Sequence, residues 1–267
     1  MNGNGRASGM NWRIGVSTLL AFAMATFSTG AARAVDVTHI TDYSISLAGL
    51  PIAKASFHTE LNANRYTISG TMNSAGLADI FAKTSGQTSV SGVVGRDRLS
   101  ASEYSVRYQT GKKRRAIDVQ FRDGDVTSAS MKPARKIPKN WVPVTKEDMR
   151  NVVDPLSGLI FPGDTKVCPK SVPIFDGESR MDLKLSAKGT KPFKTDGFKG
   201  DVIVCGIQFV PKSGYRKGRE DVDYLRKLET MEIWFAKADA VNVYAPVYVR
   251  IPTSYGPVTI WATRFGS

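Results

Sequence analysis

Residues Ala116–Ser130, AIDVQFRDGDVTSAS, decide the fold class. Ile117, Val119 and Phe121 alternate with polar residues, which is the period of a β-strand with one buried face. Asp123-Gly124 follows, and Asp-Gly between two alternating segments is the strongest short-range signal for a β-hairpin, because both central residues need a positive φ. The stretch therefore predicts two antiparallel strands joined by a tight turn.

The same alternation recurs along most of the chain. A second Asp-Gly pair, Asp176-Gly177, predicts another hairpin between SVPIF and RMDLKL. Together the segments predict a mainly β protein, built as a strongly curved antiparallel sheet or a partly open β-barrel with a few short helices. The other alternating segments are DYSISLAG (42–49), AKASFHTEL (53–61), RYTISGTM (65–72), SEYSVRYQ (102–109), RMDLKL (180–185), TMEIWF (230–235) and VYVRI (247–251).

Helical patterns are short and few. LADIFAK (77–83) places Leu77, Ile80 and Phe81 on one side, and Thr145 with Asp148 resembles a capping box that opens a second helix. REDVDYLRKL (219–228) predicts a third. We expect all of them to connect or cover β-structure.

The segment DPLSGLIF, which starts at Asp154, combines an acid, a hydroxyl and a glycine in front of an apolar run. Asp154 is a candidate N-cap and Pro155 suits the first helical position, so the segment predicts a helix start. Ser157 lacks the G-x-S-x-G elbow of a serine nucleophile. A remote alternative remains a serine-type hydrolase that uses Ser157, with His39 or His58 as its base.

The first 34 residues have the pattern of a secretory signal peptide. Two arginines precede an apolar run of about 14 residues from Ile14, which is short of the ~20 that a membrane-spanning helix needs. Ala32-Arg33-Ala34 is an A-x-A cleavage site. We expect cleavage after Ala34 and a single β-rich periplasmic domain over residues 35–267, which does not span the membrane.

The chain is strongly basic, and this indicates the partners it would meet in the envelope. The formal net charge is +13, and removal of the three arginines in residues 1–34 leaves about +10. Such a charge favours anionic lipids, phosphates and peptidoglycan, and an exported protein has no nucleic-acid partner. The basic stretches 111–115, 132–139, 188–200 and 211–220 lie between the predicted strands, and would attract an anionic envelope surface if they share a rim.

Cys168 and Cys205 are the two cysteines of the chain, and an even pair in an oxidising compartment predicts a disulfide. Neither a C-x-x-C redox motif nor an H-E-x-x-H metal motif is present, and no Walker or dinucleotide-binding motif occurs. We therefore expect no metal, no cofactor, no catalytic residue and no enzymatic activity.

Five segments carry a resemblance to a known family. They are DPLSGLIF (154–161), VPIFDGESRMDLKL (172–185), GDVIVCGIQFVPKSGYR (200–216), TMEIWFA (230–236) and PVYVRIPTSYGPVTI (246–260). Together they resemble the domain of unknown function 3108 family, and the similarity covers nearly all of residues 37–266. The resemblance implies an exported bacterial envelope protein with a β-rich fold, and it implies no mechanism because the family has no established activity. The family motif residues are Asp154, Pro155, Leu156, Ser157, Phe175, Asp176, Gly177 and Arg180.

These observations predict a non-catalytic periplasmic protein of the cell envelope that binds a lipid-like or glycolipid component in a concave sheet. A curved sheet with one apolar face often encloses a groove suited to a ligand. The same residues would equally fill a packed core, and the alternative function is a scaffold that binds a protein or peptidoglycan through basic loops. The candidate ligand-binding residues are Tyr43, Ile45, Phe57, Ile68, Val106, Ile117, Met231, Ile233 and Phe235.

Overall fold

The computed structural model describes residues 37–62, 64–76, 79 and 83–267. The predicted signal peptide and most of the predicted helix at 77–83 lie outside the described residues. The strands of the described part are β1 (Val37–Leu47), β2 (Leu50–Asn62), β3 (Arg65–Ser74), β4 (Thr84–Val94), β5 (Leu99–Thr110), β6 (Lys113–Arg122), β7 (Asp125–Lys132), β8 (Trp141–Val142), β9 (Phe161–Pro162), β10 (Val172–Phe175), β11 (Arg180–Thr195), β12 (Phe198–Ser213), β13 (Tyr215–Arg216), β14 (Met231–Ala238), β15 (Val243–Ile251) and β16 (Val258–Gly266).

The strands form one large antiparallel sheet, as the alternation predicts, from two meanders joined in the middle. β1 to β7 pair in sequence order, β10–β11–β12–β14–β15–β16 form the second run, and β16 pairs with β1 to join them. The hairpin predicted at Asp123-Gly124 is confirmed: both residues have positive φ, 54° and 87°, and Arg122 pairs with Asp125. β9 pairs with β15, and β8 and β13 form a separate two-stranded sheet.

The sheet is not closed by strand pairing, because its edge strands β7 and β10 do not pair with each other. The segment 151–154 lies between them and bonds to both sides. The Val152 N–H donates to the Gly124 carbonyl at 2.8 Å, and the Val153 N–H donates to the Pro173 carbonyl at 2.9 Å. The Phe175 N–H donates in turn to the Val153 carbonyl. We call the junction of β6–β7, residues 151–154 and β10 the seam.

A long hairpin of the sheet, β11–β12, extends beyond the residues of β12 that pair with β14. β11 and β12 are 16 residues each, and their register shifts next to Gly189. The tip returns to β16, where the Thr195 hydroxyl donates to the Ala262 carbonyl at 2.7 Å. Phe193, from the same tip, is 4% exposed and its ring lies 4.7 Å from that of Trp261.

The buried side chains form two groups on the sheet. One includes Val119, Val247 and Phe265, and the other includes Ile233 and Phe235 beside the cysteines. Cys168 and Cys205 form a disulfide with a Cα–Cα distance of 5.7 Å, as the sequence predicts. The bond ties the loop that precedes β10 to the centre of β12.

Helical structure is scarcer than the sequence patterns predict. Residues 219–228 do form a helix, α1 (Glu220–Lys227). The Thr145–Asp148 capping box is present, with the Thr145 N–H donating to Asp148 at 2.9 Å, but it opens only a 3-10 turn at Glu147–Met149. The DPLSG segment likewise makes a single 3-10 turn, Ser157–Leu159. Within the described residues, no helix has the length and apolar character needed to cross a membrane.

Candidate functional site

An apolar cavity of about 270 Å³ lies between the inner face of the sheet and the DPLSG segment. β1, β2 and β3 form one wall, β15 and β16 form another, and Pro155, Leu156, Leu159 and Ile160 cover it. We call this space the inner cavity. The remaining lining residues are His39, Thr41, Tyr43, Ile45, Ala55, Phe57, Thr59, Ile68, Met72, Val241, Val243, Ala245, Pro246, Val249 and Ile260.

Strand alternation explains why these residues face the cavity. Odd-numbered residues of β1 and β2 share the inner face, and Tyr43 pairs directly with Ala55. Gly70 of β3 makes room on that face, since a Cβ built there would lie 2.4 Å from the ring of Phe57. The Phe57 ring packs edge-on against Tyr43, with 5.8 Å between ring centroids. Gly70 therefore gives the Phe57 ring its place on the inner face, and the small side chain of Ala55 lines the cavity itself.

The predicted ligand-binding residues separate into two sets. Tyr43, Ile45, Phe57 and Ile68 line the inner cavity. The rest do not line it: Val106 and Ile117 pack in the core near Val119, and Met231, Ile233 and Phe235 pack around the disulfide. The sheet is long enough that one apolar face contributes both to a cavity and to packed cores, and alternation alone does not separate the two roles.

Polar groups in the cavity are few and neutral. The Tyr43 hydroxyl donates to the Pro246 carbonyl at 2.5 Å, and burial raises its pKa. His39 is 4% exposed, and its Nε2 has no hydrogen-bond partner among the described residues. Burial, followed by the positive charge of Arg264, lowers the pKa of His39 to about 4. The imidazole is therefore neutral at neutral pH, and no charged side chain is found among the residues that line the cavity.

The acid of the DPLSG segment has a structural role at the seam. Asp154 is fully buried, and its Oδ1 accepts hydrogen bonds from the Leu156 and Ser157 N–H groups at 2.9 and 3.0 Å. These are the bonds of the N-cap that the sequence predicts, but no α-helix follows, and the 3-10 turn Ser157–Leu159 begins after Leu156. Burial raises the pKa of Asp154, because its Oδ2 has no described partner and the charged form is poorly solvated.

Ser157 is not placed as a nucleophile. It is 2% exposed, and its hydroxyl bonds to the hydroxyl of Tyr66 at 2.7 Å. No hydrogen bond joins it to His39 or His58 within the described residues. The next residue, Gly158, is needed for packing, since a Cβ there would lie 2.8 Å from the Val153 side chain.

The second family motif lies at the same seam. Phe175 is buried, and the Asp176 Oδ1 accepts the Glu178 and Ser179 N–H groups at 2.9 and 2.6 Å. The turn is longer than a two-residue hairpin, because Phe175 pairs with Arg180 and only Gly177 of the motif has positive φ, 95°. A Cβ on Gly177 would lie 2.3 Å from the Ile117 side chain of β6.

The charged residues of the second family motif also make structural contacts. Burial raises the pKa of Asp176, while its bonds to Ser179 oppose this shift. Arg180 pairs with Asp182 at 2.7 Å instead of entering the inner cavity. No group of three potential metal ligands occurs in the part of the chain that the structure describes.

The cavity residues that the sequence reading missed carried a usable signal. His39 and Thr41 share the odd-numbered inner face of β1 with Tyr43, so the alternation placed them there as well. Leu159 and Ile160 belong to the apolar run that follows the predicted helix start at Asp154, and the structure places them over the cavity. Ile260 and Pro246 carried no such signal, because their position depends on the pairing of β16 with β1 across most of the chain.

This chain is similar to a family of unknown function and to a solved structure. A family model described as "Protein of unknown function (DUF3108)" matches residues 42–263. A search of curated proteins gave no match. A solved structure, a beta-barrel-like protein of domain of unknown function DUF1849 from Brucella abortus, is 12% identical, with a TM-score of 0.47 over 87% of this chain and 98% of that one.

Proposed function

Since the chain belongs to the DUF3108 family of proteins of unknown function, we propose a function from its own geometry: it holds an apolar chain in the inner cavity. The ligand is a lipid-like or glycolipid component of the cell envelope. The role is non-catalytic, because the Ser157 hydroxyl, the Asp154 carboxyl and the His39 ring are used in hydrogen bonding, capping and packing.

The observation that carries the proposal is the inner cavity itself. Its volume of about 270 Å³ is close to the lower end of ligand pockets, which run from roughly 300 to 1,000 Å³. Its lining is almost entirely apolar, and hydrocarbon that fills the space would remove this surface from water, which is favourable by roughly 25 cal/mol per Å².

The periplasmic location is part of the same proposal. It is supported by the signal-peptide pattern of residues 1–34 and by the disulfide between Cys168 and Cys205. Disulfides persist in oxidising compartments and are rare in the cytosol. A protein that carries an apolar chain between envelope surfaces would act in the periplasm, which lies between them.

A single enlargement of the cavity wall tests the proposal. Ala55 faces Tyr43, and Ala55→Trp would occupy the space without adding charge. We expect the variant to remain folded and to bind a fluorescent fatty-acid analogue at least about tenfold more weakly than the wild type, as measured by titration. Ala129→Trp, at an exposed position of β7, is the matched control and should bind normally.

Two results would contradict the proposal. If the interior is already full, Ala55→Trp overpacks it and lowers the free energy of unfolding by about 1–3 kcal/mol, which thermal melting would detect. A wild type that binds no apolar probe would equally exclude a lipid carrier. Either result would favour a scaffold that acts through its basic loops.

A further inference from the structure

Three of the four basic stretches meet at one cleft on the protein. Residues 132–139 and 211–220 form its walls with the start of β11, and Arg115 of the stretch 111–115 lies 3.8 Å from Glu178 at its edge. The fourth stretch, 188–200, belongs instead to the tip of the β11–β12 hairpin. The cleft has a volume of about 560 Å³ and shares no lining residue with the inner cavity.

Positive charge exceeds negative charge in this space, which we call the arginine cleft. Two acidic side chains line it, Glu178 and Asp221. Its five basic lining residues are Arg135, Lys136, Arg180, Arg216 and Arg219. The lining therefore carries an excess of three positive charges at neutral pH.

The ion pairs leave specific cations without an acidic partner. Arg135 pairs with Glu178, Arg219 pairs with Asp221, and Arg180 pairs with Asp182 just outside the cleft. Arg216 and Lys136 form no ion pair with any described residue. The excess charge of the cleft is therefore concentrated on these two side chains.

Arg216 is held in place by neutral groups. Its Nε donates to the Asn140 Oδ1 at 3.0 Å, and the Asn140 Nδ2 donates to the Lys217 carbonyl at 2.7 Å. The backbone of Arg216 pairs with Trp141 in the small β8–β13 sheet. The guanidinium is thus anchored through one nitrogen, and its two η nitrogens make no hydrogen bond to a described residue.

Neighbouring cations repel one another in the cleft. Burial, and then the positive charge of Arg115, lowers the pKa of Arg135. The positive charge of Arg219 also lowers the pKa of Arg135. Arg135 also lies over the ring of Trp141, 5.2 Å from its centroid. A bound anion would relieve this repulsion.

We propose that the arginine cleft binds a phosphomonoester group, with Arg216 as its principal contact and Lys136 as a second. A guanidinium presents a planar set of donors that matches two phosphate oxygens, and a phosphomonoester carries about −1.5 to −2 charges, which matches the two cations that have no ion pair, Arg216 and Lys136. Trp141, Phe209 and Tyr215 line the same cleft and would pack against the group that bears the phosphate. The inference does not depend on the lipid proposal, because the two sites share no residue.

Calorimetric titration of the purified protein tests the phosphate site. Inorganic phosphate and a soluble sugar phosphate are the probes, at about 0.15 M salt so that general attraction is screened. We expect Arg216→Ala to weaken phosphate binding about tenfold or more, and Arg216→Lys to recover only part of it. Arg122→Ala removes the same charge at an exposed position of β6 and should change affinity by less than about twofold.

Lys136→Gln supplies a second test that does not depend on the folding of the β8–β13 sheet, because Lys136 lies outside both strands. It should also weaken phosphate binding. Equal losses in Arg122→Ala and Arg216→Ala would overturn the proposal, as would a wild type with no phosphate binding. Binding of a dicarboxylate at least as tight as that of phosphate, and equally sensitive to Arg216, would also overturn it.

Vesicle binding distinguishes a lipid headgroup from a soluble compound as the source of the phosphomonoester. Phosphatidylcholine vesicles with phosphatidic acid present it as a lipid headgroup, and vesicles with phosphatidylglycerol present an equal number of phosphodiesters. Preference for phosphatidic acid that is lost in Arg216→Ala assigns the site to a lipid headgroup. Binding of the sugar phosphate without that preference assigns it to a soluble compound.

Discussion

At the scale of single residues, the inner cavity depends on small and neutral side chains. Ala55 lines the cavity wall, Gly70 leaves room for the ring of Phe57, and the histidine at the wall, His39, is uncharged. His39 packs edge-on against Phe265, with 4.3 Å between ring centroids. Because burial keeps this imidazole neutral, the stability of the fold should depend on its titration.

His39 makes stability fall as the pH is lowered. Its pKa drops from 6.5 in the unfolded chain to about 4 in the fold, so the unfolded state binds more protons between these values. The free energy of unfolding is therefore not reduced by His39 above about pH 6.5. It falls by up to about 3 kcal/mol as the pH is lowered from 6.5 towards 4. Denaturant unfolding across this range should show the loss.

His39→Phe should flatten that part of the pH profile while keeping an aromatic ring against Phe265. His58→Phe, at an exposed position of β2, is the control and should leave the profile as it is in the wild type. An unchanged slope in His39→Phe would show that other groups cause the pH dependence.

At the scale of elements, the seam explains both family motifs. The segment 151–154 bonds to the β6–β7 turn and to β10, Asp154 then caps the turn at Ser157–Leu159, and Gly177 allows the β10–β11 turn to lie against β6. The motifs therefore join the two edges of an open sheet and position the wall of the inner cavity. We assign them a structural role.

Asp154→Ala and Asp154→Asn separate capping from charge. Alanine removes the acceptor and should cost about 0.5–2 kcal/mol for the cap, and more because the buried Ser157 N–H and the half-buried Leu156 N–H lose their partner. Asparagine keeps an acceptor oxygen without the charge whose burial raises the carboxyl pKa, so it should be clearly less destabilising. Chemical denaturation of the three proteins gives the comparison. Equal losses in both variants would mean that the carboxylate charge is required.

Sequence reasoning worked for the elements that local patterns define. The Asp123-Gly124 hairpin, the Asp154 cap and α1 all follow from neighbouring residues. The helices predicted after Thr145 and Asp154 shrink to single 3-10 turns, because the chain there has to cross the seam and bond to strands on both sides. Such long-range pairing leaves no local period in the sequence.

At the scale of the whole molecule, one apolar sheet face serves two purposes. It packs tightly around Val119 and around the disulfide, and it stays open beside β1, β2 and β16. Alternation identified the inner face, but the boundary between core and cavity depends on where the DPLSG segment lies over it. That is why Val106, Ile117, Met231, Ile233 and Phe235 were grouped with residues that line the cavity.

Native mass spectrometry tests the central claim most directly. The protein would be isolated from the envelope of the cells that produce it, sprayed without denaturation, and compared with the same sample after extraction with organic solvent. We predict a bound species of lipid mass in the wild type, removed by extraction and reduced in Ala55→Trp. The account would be contradicted by a wild type that is detected only at the mass of the polypeptide and whose extract contains no lipid.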